Sequence, residues 1–274
     1  MTDAPGRLPS SLTLVGAGKM GGSMLAGWLA GGLDPRRTTL IDPAPAPEIV
    51  ALCEARGLGL NPAAPPASEV VVLAIKPQGL AAAAPALDAL LGPDALLVSI
   101  LAGKTIADLR TRLPSARAVV RAMPNLPASI GRGATGAAAN AEVSADQRDR
   151  ADALLAATGL VEWLADEALI DAVTAVSGSG PAYVFLLAEA LAEAGVAAGL
   201  PPETAARLAR ATVAGSGALL DGSPVAADAL RRNVTSPGGT TAAGLAVLMR
   251  ADGMAALLRE AVAAAKRRAG ELAG

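Results

Sequence analysis

The run Ser236-Pro237-Gly238-Gly239-Thr240-Thr241 combines residue types that can seat an anion on bare backbone. Ser236 suits a helix N-cap and Pro237 the first helical position. Gly238 and Gly239 are poor helix formers, so their place in a first turn calls for a reason other than helix stability. Close approach of a ligand is one such reason. The first N–H groups of a helix have no internal partner and carry the positive end of its dipole, which suits a carboxylate or phosphate. Thr240 and Thr241 add two hydroxyls beside that seat. The same residues also read as a glycine-containing loop between helices, where small side chains are tolerated.

A second group can hold a dinucleotide. An apolar run at residues 11–15 feeds into Gly16-Ala17-Gly18-Lys19-Met20-Gly21, after which apolar residues recur at helical spacing as far as Gly31-Gly32. In a strand-turn-helix of this kind Gly16 turns the chain, Gly18 lets backbone approach a pyrophosphate and Gly21 lets the helix pack on the sheet. A second apolar run, 38–41, ends at Asp42, about twenty residues beyond Gly21, where an acid can accept from a ribose hydroxyl. Taken alone, Lys19 reads as a solvated residue and Met20 as a packing one, and the whole loop could serve packing only. Lys76-Pro77 and Met123-Pro124-Asn125 each follow a buried-looking run, at the sheet edge where open α/β proteins bind ligands. Lys76 alone reads as solvated; two loops on one crevice carry more weight than either.

The elements that must position these residues alternate. Helical patterns at 47–56 and 80–91 are separated by a strand pattern at 70–75. A further strand at 95–100 precedes a helix capped by Thr105 with Asp108 three positions on. Runs at 118–121 and 134–138 complete a set of strands, Ser144 and Gln147 form a second capping box, and 160–164 reads as a last edge strand. Apolar runs alternating with helices predict a mostly parallel, doubly wound sheet covered on both faces. From about Asp166 the strand signals stop. Ala-rich helices follow, broken at Ser177-Gly178-Ser179-Gly180-Pro181, Gly199-Leu200-Pro201-Pro202, Gly222-Ser223-Pro224 and the Ser236 turn. The division into domains is placed at 1–164 and 165–274, with neither a linker nor a fixed-period repeat.

Composition bounds the chemistry. A chain of 274 residues suits two domains. With 52% hydrophobic but 1% aromatic residues, the interior must be filled by Ala, Leu and Val. A formal charge of −2 and a pI near 5.3 leave no electrostatic footprint for nucleic acid. The chain has no histidine, which removes the usual general base and the commonest zinc ligand, and no metal site is expected. The single Cys53 excludes an internal disulfide and reads as core filling. Residues 1–10 lack the apolar region of a secretory signal, so the cytoplasm is the expectation. The apolar stretch 181–200 is interrupted by Glu189 and Glu193 and reads as a buried bundle helix, not a membrane span. Tyr183, Phe185, Trp28 and Trp163, the four aromatics, read as packing residues.

Val15 to Gly21, Ala74-Ile75-Lys76-Pro77, Arg121-Ala122-Met123-Pro124-Asn125, and Val176-Ser177-Gly178-Ser179-Gly180-Pro181-Ala182-Tyr183 together with Ser236 to Thr241 resemble the pyrroline-5-carboxylate reductases, which make proline. The first segment is shared by many dehydrogenases, whereas the last two are specific to this family. The resemblance implies an NADPH- or NADH-dependent reduction of the cyclic imine 1-pyrroline-5-carboxylate to L-proline. It further implies a Rossmann-like N-terminal domain and an all-helical C-terminal domain that binds substrate and forms an intertwined dimer, often assembled into larger rings. Carried over, Gly16, Gly18, Lys19, Met20 and Gly21 belong to the pyrophosphate loop, Lys76 and Pro77 line the cofactor cleft, and Met123 and Asn125 sit near the nicotinamide. Gly178 and Ser179 border the substrate. Ser236 and the backbone N–H groups of Gly239 and Thr240 hold its carboxylate, and the Thr241 hydroxyl lies near the ring nitrogen as the catalytic orienting group. One departure stands out. Family members that use NADPH tend to carry small polar or basic groups after the second strand, whereas here Ile41 leads into Asp42, which repels a 2′-phosphate and leads us to expect NADH to serve at least as well. Arg36 and Arg37 flank the far end of that strand. Two other readings stay open: a 3-hydroxyacid dehydrogenase-like enzyme, disfavoured because 166–200 holds no lysine, and a non-catalytic NAD(P)-sensing protein.

Overall fold

The computed structural model describes residues 8–273, so most of the reading of residues 1–10 lies outside the described residues. Eight strands form one sheet: β1 (Leu12–Val15), β2 (Thr38–Ile41), β3 (Gly59–Leu60), β4 (Val70–Leu73), β5 (Leu96–Ser99), β6 (Ala118–Met123), β7 (Gly133–Ala139) and β8 (Gly159–Trp163), ordered β3-β2-β1-β4-β5-β6-β7-β8. Every pairing is parallel except β6 with β7. The near-continuous apolar runs of β1, β4 and β5 are buried along their whole length, as expected of strands covered on both faces. The order reverses between β1 and β4, with Leu12 aligned to both Thr38 and Val70, and this switch point opens the ligand crevice of such sheets.

Two apolar layers flank the sheet. One is built around Trp28, Met24 and Leu25 of α1 (Lys19–Ala30) with Leu154 and Leu155 of α5 (Ala145–Ala156). The other joins α3 (Leu80–Asp88) and α4 (Ile106–Arg112) through Leu80, Leu87 and Leu109. Ala, Leu and Val dominate both, as composition requires. α2 (Pro47–Arg56) buries Ile49 and Cys53, and burial together with the Glu54 charge pushes the Cys53 thiol up, in keeping with inert core filling. Both predicted capping boxes, at Thr105 with Asp108 and at Ser144 with Gln147, are formed.

After a four-residue α6 (Ile170–Val173), a π-helical turn spans Thr174–Gly178. Helices α7 (Gly180–Ala197), α8 (Pro202–Gly222), α9 (Ala227–Asn233), α10 (Thr240–Leu248) and α11 (Met254–Ala273) complete the described chain. By packing, the chain divides into two compact units, Met1–Gly178 with Ala265–Gly274, and Ser179–Ala264.

The structure corrects several expectations. Helix 80–91 ends at Asp88, and β6 runs on to Met123. The two-residue β3 carries too short an apolar run to show in the sequence. α7 is not a buried helix within one chain, since none of its residues is buried, and Phe185 is exposed rather than packed between helices. Residues 167–197 are long and apolar enough to cross a membrane by length and composition alone. Trp28 is fully buried and donates to the Leu154 carbonyl; Trp163 is half-buried, donates to Asp152 and lies under Arg148.

Candidate active site

The glycine loop is shaped as its residue types require. Gly16 has φ +91°, and a Cβ there would lie 2.7 Å from the Ala74 carbonyl oxygen, so the loop after β1 rests directly on the loop after β4. At Gly21 a Cβ would collide with the Gly16 carbonyl, and this is what brings α1 against the sheet. Gly18, the N-cap of α1, is different: no atom lies within 4 Å of a Cβ placed there, and the position is exposed. The start of α1 is therefore open at its N-cap, beside the unpartnered N–H groups of the first turn, which is the form of a pyrophosphate seat.

Asp42 closes this loop from below. One carboxylate oxygen accepts from Ala17 N at 2.7 Å and the other from Ala44 N at 2.9 Å. Asn61 fixes the backbone of Asp42 from both sides, accepting from its N–H at 2.9 Å and donating to its carbonyl at 2.7 Å. Asn61 has φ +46°, alone among the described non-glycine residues in that region. Sequence reasoning missed Asn61; the strand before it does not show in the sequence, and the one signal was an Asn, whose side chain tolerates this conformation.

Lys76 is exposed and starts the 3₁₀ turn Pro77–Gly79, with Gly79 N donating to the Lys76 carbonyl. The segment after β6, Leu126–Ile130, reaches α1, and a cavity of about 380 Å³ there is lined by Lys19, Met20, Ser23, Leu126 and Ser129. Lys19 is exposed and Met20 half-buried against the core, as each reads in isolation.

The end of β6 is anchored to residues 167–178 by three side chains. Buried Arg121 donates to Glu167 at 3.0 Å and lies 3.8 Å from Asp171; the same Glu167 oxygen accepts from Ile106 N at the start of α4. The Met123 methyl lies 3.1 Å from a Cβ built on Gly178. Asn125, only 9% exposed, accepts from Ala134 N at 2.9 Å and donates to the Ser177 carbonyl at 3.0 Å. Arg121 was legible as part of a motif, but its acidic partners were not.

The Ser236 run lies in the other compact unit, and its geometry departs from the expected helix start. Gly239, not Ser236, is the N-cap of α10. Residues 236–239 form a β-turn in which Gly239 N donates to the Ser236 carbonyl at 3.1 Å, and Gly238 has φ +71°. Pro followed by a left-handed Gly is the chemistry of a type II turn, which is why both residues are there. The Gly239 N–H is thus engaged. The unpartnered donors at this start are the N–H groups of Thr240, Thr241 and Ala242 in the first turn of α10, with both threonine side chains exposed.

A family model for coenzyme F420-dependent NADP oxidoreductases matches residues 11–103, and one for pyrroline-5-carboxylate reductase dimerisation matches residues 167–272. A pyrroline-5-carboxylate reductase of Pseudomonas aeruginosa is 44% identical over 265 residues, 96% of each chain. The chain belongs to the pyrroline-5-carboxylate reductase family. A solved pyrroline-5-carboxylate reductase from Coxiella burnetii superimposes with a TM-score of 0.88 at 36% identity, covering 97% of this chain and 99% of that one. The Plasmodium falciparum pyrroline carboxylate reductase, solved with NADP bound, matches at 26% identity and a TM-score of 0.78, covering 96% and 98%. The pyrroline-5-carboxylate reductase dimerisation match takes in all of Ser179–Ala264, the unit whose only buried residues are Ala205 and Ala209. Such a unit holds too little interior of its own, and homo-oligomerisation covers its apolar faces.

Proposed function

We propose that this chain reduces 1-pyrroline-5-carboxylate to L-proline with a reduced nicotinamide dinucleotide. The observation that carries the reading is the glycine cradle at the sheet's switch point, with Gly18 open and Asp42 held beneath it, in a chain of this family over nearly its full length. The cradle fits the cofactor: a bare first turn for the pyrophosphate and a fixed acid for the ribose. Gly16, Gly18, Lys19, Met20 and Gly21 would hold the pyrophosphate, Asp42 the adenine ribose, and Lys76, Pro77 and Met123 the remainder of the cleft. Asp42 cannot swing away from a 2′-phosphate, because both its oxygens are committed to backbone N–H groups. We therefore infer that NADH serves at least as well as NADPH.

When bound, the dinucleotide supplies the hydride, so the chain needs to bind, orient and exclude water rather than provide a strong acid or base. This suits a protein without histidine. The substrate carboxylate is assigned to the Ser236 hydroxyl and the first-turn N–H groups of α10 from Thr240 on, where the helix dipole favours negative charge; the Gly239 N–H, bonded to the Ser236 carbonyl, shapes the seat instead of gripping the ligand. Ser179 borders the ring. The Thr241 hydroxyl faces the ring nitrogen, relays to it from solvent the proton that charges the imine, and orients the resulting cation; that proton stays on nitrogen in the product. The imine carbon gains the hydride, and the nitrogen takes the electron pair of the broken C=N π bond. The working unit is a homodimer, with larger rings as the higher assembly and the cytoplasm as its compartment. Residues 1–164 form the dinucleotide domain and 165–274 the substrate and dimerisation domain.

The test mixes the protein with pyrroline-5-carboxylate and either reduced nicotinamide while following nicotinamide absorbance. Imine-dependent oxidation of the cofactor is expected. A protein that binds the nicotinamide without turning it over is a sensor, and the proposal fails.

A further inference from the structure

Pro181 creates a problem in the backbone that precedes α7. A helical carbonyl is normally met by the N–H four residues on, and for Ser177 that residue is Pro181, which has none. The π-helical turn does not supply a substitute through the next residue, because Ala182 N donates to the Ser179 carbonyl at 3.0 Å. The Ser177 carbonyl receives instead the Asn125 side-chain amide at 3.0 Å, while Asn125 Oδ1 accepts from Ala134 N at 2.9 Å. Asn125 is buried, so these bonds form where competition from water is weak. On the same turn, the Ser177 hydroxyl donates back to the Val173 carbonyl and the Thr174 hydroxyl to the Ile170 carbonyl.

We propose that Asn125 is a positioning residue for the Ser177–Pro181 turn: it replaces the N–H that Pro181 lacks and so fixes Gly178 and Ser179 for the imine, rather than gripping the nicotinamide. This rests on the proposed reading that Gly178 and Ser179 border the substrate. The chemistry is that of an amide with two ends. Its oxygen holds the start of β7 and its nitrogen holds the turn, so one side chain ties the end of β6 to both. A carboxylate at position 125 can still accept from Ala134 N but would face the Ser177 carbonyl with like partial charge. A break in that bond leaves a buried carbonyl unpartnered, and the turn relaxes.

The test compares wild type with Asn125→Asp and with the double variant Asn125→Asp/Pro181→Ala, in which residue 181 regains an N–H. Three quantities are read on the full-length protein: KM for the imine, NADH affinity from nicotinamide fluorescence, and amide hydrogen exchange over residues 179–184. The expected result for Asn125→Asp is a rise of about tenfold in the imine KM, the scale set by losing one buried hydrogen bond. NADH affinity stays within about twofold on the same scale, exchange over 179–184 speeds up, and Pro181→Ala recovers part of both losses. An unchanged imine KM with NADH affinity weakened tenfold would make Asn125 a cofactor ligand and overturn the proposal. So would exchange over 179–184 that does not change, or double-variant losses that merely add. Asn125→Ser carries the same comparison should the Asp variant not fold. A wild-type protein inert toward the imine sinks the functional reading alone, because hydrogen exchange and its rescue by Pro181→Ala still decide the role of Asn125.

Discussion

The proposed service of NADH turns on Asp42, and the geometry of its carboxylate gives the consequence a sign. A carboxylate that accepts from two backbone N–H groups has no freedom to retreat, so a 2′-phosphate brought beside it meets a fixed negative charge, whereas a free ribose hydroxyl meets an acceptor. Replacing Asp42 by Ser removes the charge and leaves a short polar group. The expected outcome is a fall of about tenfold in kcat/KM with NADH, of the order of one lost charged hydrogen bond, with kcat/KM for NADPH unchanged or raised. Parallel initial-rate measurements with both cofactors check this. A wild-type preference for NADPH of more than about tenfold, some 1.4 kcal/mol, would refute the Asp42 argument outright. The glycines beside it differ in what they show: Gly16 and Gly21 are required by backbone that already occupies the space of a side chain, whereas nothing in the chain crowds a Cβ at Gly18.

Among the elements, strands and caps were readable because their causes are local. Short apolar runs gave β1, β2, β4 and β5 to within a residue or two, and the two capping boxes follow from a hydroxyl and an acid or amide three positions apart. What could not be read depends on partners far along the chain. Ser236 and Pro237 have N-cap and first-turn chemistry, yet the turn chemistry of Pro followed by Gly wins, and α10 starts three residues later than a cap at Ser236 implies. Asn125 announces a loop, but its bond to Ser177 spans the chain between β6 and α7. Glu69, just before β4, is another such link. Burial alone would raise its pKa, but hydrogen bonds from the Ser10 hydroxyl and N–H, with the charges of Arg150 and Arg37, outweigh that and hold it below the ordinary carboxylate value. A lowered folded pKa means a stability contribution present above the unfolded value and lost as pH falls through the folded one. Glu69→Gln should therefore lower Tm near neutral pH and cost progressively less below about pH 4, where the wild-type side chain protonates too. Thermal melts of both proteins across that range check the sign; a Tm difference that grows on acidification contradicts it.

For the whole molecule the decisive fact is where the apolar surface lies. α7 exposes Val184, Phe185, Leu186, Leu187 and Leu191, with Leu186 at 61% and Phe185 at 54%, and α8, α10 and α11 expose further leucines. Monomeric proteins rarely leave so much contiguous apolar surface in water. A bilayer could cover the 167–197 stretch, within which an 18-residue window has a mean hydropathy of 1.3. Glu189 and Glu193 lie inside it, however, and two carboxylates in hydrocarbon cost several kcal/mol in total, at roughly 2.5–3.5 each near a membrane's centre. A second copy of the helical domain can cover apolar side chains of α7 without placing those carboxylates in hydrocarbon, and the dimerisation match over 167–272 agrees. A single charge at the middle of that face should then act on assembly before it acts on chemistry. Leu186→Asp is expected to shift the solution mass from a multiple of the 26.9 kDa chain toward the single chain and to lower Tm, because the helical unit loses the cover that its own interior cannot provide. Light scattering coupled to size-exclusion chromatography reads the mass directly. A wild-type protein that elutes as a single chain in plain buffer, with α7 nonetheless protected from hydrogen exchange, would overturn the assignment of that face to a second copy.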